Sequence, residues 1–288
     1  MTQPLHSLLR SIGLQIPQGL GNPLVEGITC DSRSVKKGTL FLGLPGEKFD
    51  GGSFWPQALS LGAVAAVIGP EAAELKTPGP KDAVVVVPEP VGKWVGELAA
   101  AFWERPTSKI PLIGVTGTNG KTTTTHLIDY LSTSVGLQSA LFGTLVNRWP
   151  NHQEVAKYTT GVAVAVQENL SKAVQAGAQI AAMEVSSHAL VQNRVAGCYF
   201  AGAVFTNLTQ DHLDYHLSMD EYFRAKTLLF KPPFLDIDSS RAVVNIDNCW
   251  GEQLSRALKN NCWKCSLDES KRENAELFIG DVEMNSTG

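Results

Sequence analysis

Residues 110–125 read I-P-L-I-G-V-T-G-T-N-G-K-T-T-T-T. A short apolar run ends in a glycine-rich turn, followed by Lys121, Thr122 and a helical pattern. That is the layout of a loop that cradles the phosphate chain of a nucleotide. Glycines at 117 and 120 let backbone N–H groups turn toward phosphate oxygens with no Cβ in the way. Lys121 supplies a point positive charge, and the Thr122 hydroxyl is a ligand type for Mg²⁺. The start of the following helix adds its positive dipole end. The strict spacing G-x-x-x-x-G-K-[ST] puts glycine at 115, where Val115 stands. A chance loop containing G-K-T is the plain alternative, but the apolar run before and the helical pattern after are both in place. In that pattern Leu127, Ile128, Leu131 and Val135 fall on one helical face.

Two further segments follow apolar runs, where ligands bind in open α/β sheets. One is M-E-V-S-S-H-A-L-V-Q-N-R (183–194). The other is T-N-L-T-Q-D-H-L-D-Y-H (206–216), followed by a helical stretch carrying Lys226. Glu184 and His212 are metal-ligand types beside a phosphate loop. Each also has an ordinary reading: Glu184 as a solvated strand end, His212 as a loop histidine, Lys226 as a helix-surface lysine. His212 and His216 are four apart but precede the capped helix, so they make a weak zinc face. Cys262-Trp-Lys-Cys265 lacks a second pair and reads as two thiols in a short strand.

The elements that must position these residues alternate between strand-like runs and helical periods, which predicts α/β layering with a largely parallel sheet. Strands are expected at 39–44, 64–68, 83–87, 111–115, 140–145, 180–184, 202–206, 242–245 and 277–284. Helices are expected at 54–61, 91–103, 122–135, 162–176, 219–230 and 248–259. Ser218-Met-Asp-Glu221 reads as a capping box. The polar segment 104–109, with its proline, marks a boundary between two domains, 1–107 and 108–288.

Bulk properties bound the function. The net charge of −4 and pI near 5.9 give no reason to expect nucleic acid. No 18-residue apolar run exists, so no membrane span is expected. The N-terminus M-T-Q-P-L-H-S-L-L-R lacks a secretory pattern, and a cytoplasmic protein is the default. Five scattered cysteines argue against a disulfide framework.

Together the motifs resemble the Mur ligase family of peptidoglycan synthesis, closest to its MurE type. The pieces are T-C-D-S-R (29–33), G-V-T-G-T-N-G-K-T-T (114–123), Y-T-T-G (158–161), M-E-V-S-S-H-A-L-V-Q-N-R (183–194), F-T-N-L-T-Q-D-H-L-D-Y-H (205–216) and Lys226. They occur in the family's order across almost the whole chain. Folylpolyglutamate synthases share the phosphate loop but not the Ser32 and E-V-S-S-H segments.

The resemblance implies an N-terminal mixed α/β UDP-binding domain followed by a partial P-loop ATPase domain. It implies ATP at Gly117, Thr118, Asn119, Gly120, Lys121, Thr122 and Thr123. One Mg²⁺ is expected near Thr122 and Glu184, and a second near His212 and Lys226, the lysine being carbamylated. An ammonium beside Mg²⁺ is repelled, whereas a carbamate is an anionic oxygen donor suited to a hard cation. Ser32, Thr159, Thr160, Ser186, Gln192 and Arg194 are expected to hold the acceptor nucleotide.

The implied reaction joins a diamino acid, meso-diaminopimelate, to UDP-N-acetylmuramoyl-L-alanyl-D-glutamate through an acyl phosphate. Lys121, Glu184, His212 and Lys226 are its expected catalytic residues. Nothing matches the family's D-N-P-R-like motif for the diamino acid. The C-terminal ligase domain that carries it is therefore expected to be absent; the strand-like run 277–284 so close to Gly288 makes the central domain expected to be incomplete, and the chain inactive alone. The alternative is a non-catalytic fragment that binds ATP or the UDP-substrate.

Overall fold

The computed structural model describes residues 1–46, 49–236, 238, 241–259 and 261–280. In chain order the first part runs β1 (Gln3–Pro4), α1 (Leu5–Ser11), β2 (Leu24–Val25), β3 (Gly27–Thr29), β4 (Thr39–Leu42), α2 (Trp55–Ser60), β5 (Ala65–Ile68), α3 (Pro70–Leu75), β6 (Val84–Val86) and α4 (Val91–Phe102). It continues with β7 (Leu112–Thr116), α5 (Lys121–Ser134), β8 (Ser139–Phe142), β9 (Val146–Trp149), β10 (His152–Val155), α6 (Ala163–Gln175), β11 (Ile180–Glu184) and α7 (Ser187–Val191). The last part is β12 (Gly202–Phe205), α8 (Met219–Thr227), β13 (Arg241–Asn245), α9 (Cys249–Ala257), β14 (Trp263–Ser266) and β15 (Leu277–Phe278).

These elements form two compact units. The first takes Met1–Lys109 together with Gly161–Gln175 and Gln192–Cys198, and the second takes the remainder from Ile110. In the first unit β3, β4, β5 and β6 form a parallel sheet in that order. All four residues of β4 are buried, because both faces of the sheet are covered. Leu40 and Leu42 point to one side and pack with Val67, Val85 and helices α1 and α4. Phe41 points to the other and packs with Trp55, Ala58 and Ile68. Val164 of α6 joins the first of these cores, so a helix from the middle of the chain completes the N-terminal unit.

The second unit is built on a nine-stranded sheet of order β10-β9-β8-β11-β7-β12-β13-β14-β15. It is parallel from β8 to β15, with the antiparallel β9–β10 hairpin at one edge. Strand β7 is central, flanked by β11 and β12. The segments that follow these three parallel strands therefore leave from the same end of the sheet, where the strand order reverses direction. That topology brings the three motif segments to one place.

The serine half of the capping box forms, with Ser218 Oγ accepting from Glu221 N at 3.2 Å; Glu221 Oε2 reaches one residue further back and accepts from Leu217 N at 3.0 Å. The β9–β10 hairpin has no counterpart among the expected strands. All four residues of β10 are exposed, so no alternation of apolar and polar residues announces it. For the strand expected at 277–284, the structure shows β15 at its start, and residues 281–284 lie outside the described residues.

Helix α5 forms as expected but packs through a different face. Its buried residues are Thr125, Asp129 and Ser132, while Leu127, Leu131 and Val135 are exposed. Small side chains let the helix lie close on the sheet, and their polar atoms are satisfied locally. Thr125 Oγ1 donates to Thr122 O at 3.0 Å and Ser132 Oγ to Ile128 O at 2.7 Å. Asp129 pairs with Arg148 of β9.

Candidate functional site

The phosphate loop joins the end of β7 to the start of α5. Gly117 has φ +148° and Gly120, which caps the helix, has φ +83°. A Cβ on Gly117 would overlap Thr206 Oγ1, so glycine is required there by crowding as well as by conformation.

The residues after β12 lace the loop. Asn207 O accepts from Thr118 N at 3.0 Å, and Asn207 Oδ1 from Asn119 N at 2.9 Å. Thr206 Oγ1 donates to Asn119 O at 2.6 Å, and Thr209 N donates to Thr118 Oγ1 at 3.0 Å. Such bonds hold the loop in shape before any ligand arrives.

Two lysines meet at this loop. Lys121 Nζ donates to Gly117 O at 3.0 Å and to Thr118 O at 2.8 Å. Lys226 Nζ, from α8, donates to Gly117 O at 2.8 Å and lies 4.5 Å from the centre of the Tyr222 ring. Lys226 is 1% exposed, so the surface-lysine reading is overturned. Burial, and then the neighbouring Lys121, push its pKa down to about 6, with Asp211 opposing weakly. Burial also lowers the pKa of Lys121, against the pull of Glu184 and Asp211.

Glu184 closes the other side. It ends β11 and is 1% exposed, which overturns the solvated strand-end reading. Its Oε2 accepts from Thr122 Oγ1 at 2.9 Å and from Thr144 Oγ1 at 3.0 Å; its Oε1 accepts from Thr144 N at 2.8 Å. Its carbonyl accepts from Thr160 Oγ1 at 2.8 Å, and Thr160 Oγ1 in turn accepts from Ser186 N at 3.2 Å. Thr159 Oγ1 is 3.1 Å from Thr144 Oγ1. One hydrogen-bonded cluster thus joins Thr122, Glu184, Thr159, Thr160 and Ser186.

His212 stands apart from that cluster. Its side chain is 44% exposed, its backbone has φ +54°, and its Nε2 lies 3.6 Å from Asp211 Oδ2. It makes edge contacts with the rings of His188 and Tyr222. His216 is buried, with Nε2 2.9 Å from Ser187 Oγ. Burial, and then His188, Lys226 and His212, lower the pKa of His216. Among the described residues no three His, Cys, Asp or Glu side chains converge on a metal position. The donor set that fits a hard cation is mixed instead: the Glu184 carboxylate with the Thr122 hydroxyl beside the phosphate loop.

Ser32, Gln192 and Arg194 lie in the first unit. Ser32 opens a short 3-10 turn whose cap, Asp31 Oδ1, accepts from Arg33 N at 3.0 Å. Arg194 Nε donates to Gln192 Oε1 at 2.9 Å. The C-x-x-C thiols do not mark a site. Cys265 lies in β14 and Cys262 just before it, and burial raises the pKa of both.

Thr206, Asn207 and Thr209 belong to the 205–216 motif, which marks the segment but gives these three no role of their own. Thr144 lies outside every motif, and its only signal is its place as a small hydrogen-bonding residue just after a strand end.

Comparison with known proteins places this geometry. The family model for the Mur ligase middle domain matches residues 115–288, and that for the Mur ligase family catalytic domain matches residues 24–103. The chain is 63% identical, over 290 residues, to a UDP-N-acetylmuramoyl-L-alanyl-D-glutamate--2,6-diaminopimelate ligase of Prochlorococcus marinus (strain MIT 9313). That match takes in 100% of this chain and 57% of the relative. It is 46% identical over 274 residues to a ligase of the same description from Trichormus variabilis, covering 95% of this chain and 54% of the relative. A solved structure of a 2,6-diaminopimelate ligase superposes with a TM-score of 0.76 at 28% identity, covering 98% of this chain and 55% of that one. A MurF ligase from Thermotoga maritima in complex with ADP shares the fold, with a TM-score of 0.56 at 19% identity over 84% of this chain and 50% of its own.

Proposed function

Because the chain belongs to the Mur ligase family, we propose that it carries the UDP-substrate-binding and ATP-binding parts of a ligase. That ligase adds meso-diaminopimelate to UDP-N-acetylmuramoyl-L-alanyl-D-glutamate in the cytoplasm, where ATP is available. The chain spans 57% of the relative from P. marinus, so the reaction is assigned to the whole ligase. The observation that carries the reading is the buried Glu184 carboxylate bonded to Thr122 at the first turn of α5, with Lys121 and Lys226 both bonded to the phosphate loop.

In this reading the backbone N–H groups of 117–123 and the α5 N-terminus hold the ATP phosphates. Lys121 gives up its bonds to Gly117 O and Thr118 O and turns to the β- and γ-phosphates, where its charge acts in a shielded site. Thr122 and Glu184 would hold one Mg²⁺, and His212 with carbamylated Lys226 a second. When bound, such ions neutralise charge developing on the transferring phosphoryl group.

The substrate carboxylate attacks the γ-phosphorus, and ADP leaves. The incoming amine then attacks the acyl carbon, and phosphate leaves as the amide forms. The chain's part is positioning and charge neutralisation. In the second unit Thr159, Thr160 and Ser186 are the proposed contacts for the acceptor nucleotide; in the first unit Ser32, Gln192 and Arg194 are, Arg194 through its planar fork.

The surroundings of Lys226 support its proposed carbamylation. A buried amine whose charged form is disfavoured keeps its lone pair near neutral pH. Nζ attacks the carbon of CO₂, an N–C bond forms, and the proton goes to solvent. The product is an anion, for which a divalent cation is the natural partner. Intact-mass measurement and ¹³C NMR under ¹³CO₂ should show one carbamate on the chain, absent in Lys226→Met.

Calorimetry of ADP binding tests the wider reading. Mg²⁺ should tighten ADP binding to this chain, and Lys121→Ala should weaken it by about tenfold or more. Failure of ADP to bind, with or without Mg²⁺, would sink the proposal.

A further inference from the structure

Thr144 stands in the turn between β8 and β9 and belongs to none of the roles assigned above. It grips both oxygens of Glu184: the backbone N–H donates to Oε1 at 2.8 Å, and the hydroxyl lies 3.0 Å from Oε2. The same hydroxyl is 3.1 Å from Thr159 Oγ1. A threonine hydroxyl carries one proton, and an ionised carboxylate only accepts. The Thr144 proton therefore goes to Glu184, and Thr159 is left to donate to Thr144.

The residue before it completes the seat. Gly143 is buried, and a Cβ there would collide with Glu184 Oε1. Gly143 N donates to Val146 O at 3.2 Å, and β8 pairs β9 in the register Leu141 with Arg148 and Phe142 with Asn147. Arg148 is paired with Asp129 on α5, the helix whose first turn carries Thr122. The turn that holds Glu184 is thus anchored to the same helix that presents the opposing hydroxyl.

We propose that Thr144 is a positioning residue for the divalent cation of the nucleotide. It holds the Glu184 carboxylate with Oε2 turned to Thr122 Oγ1, so that the carboxylate and hydroxyl converge on one ion. The inference rests on the reading that Thr122 and Glu184 hold that ion. Partners that orient a metal's ligands are worth about 10- to 100-fold in metal affinity. Thr144 keeps its backbone bond to Oε1 when the hydroxyl is removed, which puts the expected effect at the low end.

Thr144→Val preserves side-chain shape and the backbone N–H but removes the hydroxyl; Thr144→Ser keeps the hydroxyl. ADP binding to each variant is measured in EDTA and across a Mg²⁺ series, alongside thermal melting. For Thr144→Val the Mg²⁺ concentration giving half of the metal-dependent tightening should rise about tenfold. ADP affinity in EDTA and the melting temperature should stay at wild-type values, and Thr144→Ser should restore the Mg²⁺ response. An unchanged Mg²⁺ response in Thr144→Val would overturn the inference alone. So would an equal loss of ADP affinity in EDTA, which marks general damage. A wild-type chain that binds ADP without any Mg²⁺ response would instead remove the metal reading, and the inference with it.

Discussion

Lys226 is a buried amine held against a carbonyl and an aromatic ring, with a second lysine as neighbour. Its pKa is about 6 in the folded chain against 10.5 when exposed. Between those values the folded chain binds fewer protons than the unfolded one, so this residue makes stability rise with pH across that window. Below about 6 its full destabilising contribution is present. In CO₂-depleted buffer, urea denaturation of Lys226→Met should show a gain over wild type that is largest near pH 6 and shrinks as pH rises. A constant difference across the window would contradict this account.

Glu184 has the opposite character, an anion satisfied by two threonines. Thr122→Val should weaken Mg²⁺-dependent ADP binding by about tenfold, read by the same calorimetry. Glu184 and Lys226 could not be told from ordinary surface residues by type alone. Only their place in ordered motifs made them candidates, and burial distinguished them.

At the scale of elements, α5 shows where periodicity misleads. Leu127, Leu131 and Val135 form an apolar stripe by spacing, yet they are 54%, 61% and 75% exposed. Leu131→Gln combined with Val135→Thr should therefore change stability by less than about 1 kcal/mol, measured by urea denaturation. The buried face is a different matter, since Asp129 is 6% exposed in its side chain and depends on Arg148. Arg148→Met should cost about 1–3 kcal/mol by leaving a buried carboxylate unpaired. Removing both charges, in Asp129→Leu with Arg148→Met, should cost less than the single change. The α8 cap obeys sequence rules more closely: Ser218 Oγ accepts from Glu221 N as expected, and Ser218→Ala should cost about 1 kcal/mol.

For the whole molecule, the decisive fact is that sequence order and packing order differ. Segments Gly161–Gln175 and Gln192–Cys198 pack with the first 109 residues, and Val164 fills the core beside Leu42 and Val95. A fragment of residues 1–109 should expose that core, bind a hydrophobic dye and melt less cooperatively than the full chain. The polar segment 104–109 stands out in the sequence because linkers announce themselves by composition. The two later segments do not, because nothing local distinguishes a helix that packs with one unit from a helix that packs with another.

What the sequence determined by itself was local: the phosphate loop, the strands around it, the capped helix and the order of the family's motifs. Glycine placement, apolar runs and capping pairs act within a few residues, so they can be read directly. Tertiary structure decided which polar residues are buried and which carboxylate meets which hydroxyl. Glu184 reaches Thr122 and Thr144 because β7, β8 and β11 lie side by side, with residues 40 to 62 apart in the chain brought within hydrogen-bond reach. Those bonds depend on strand order and register, which are settled by the competition of all the apolar surfaces for one core.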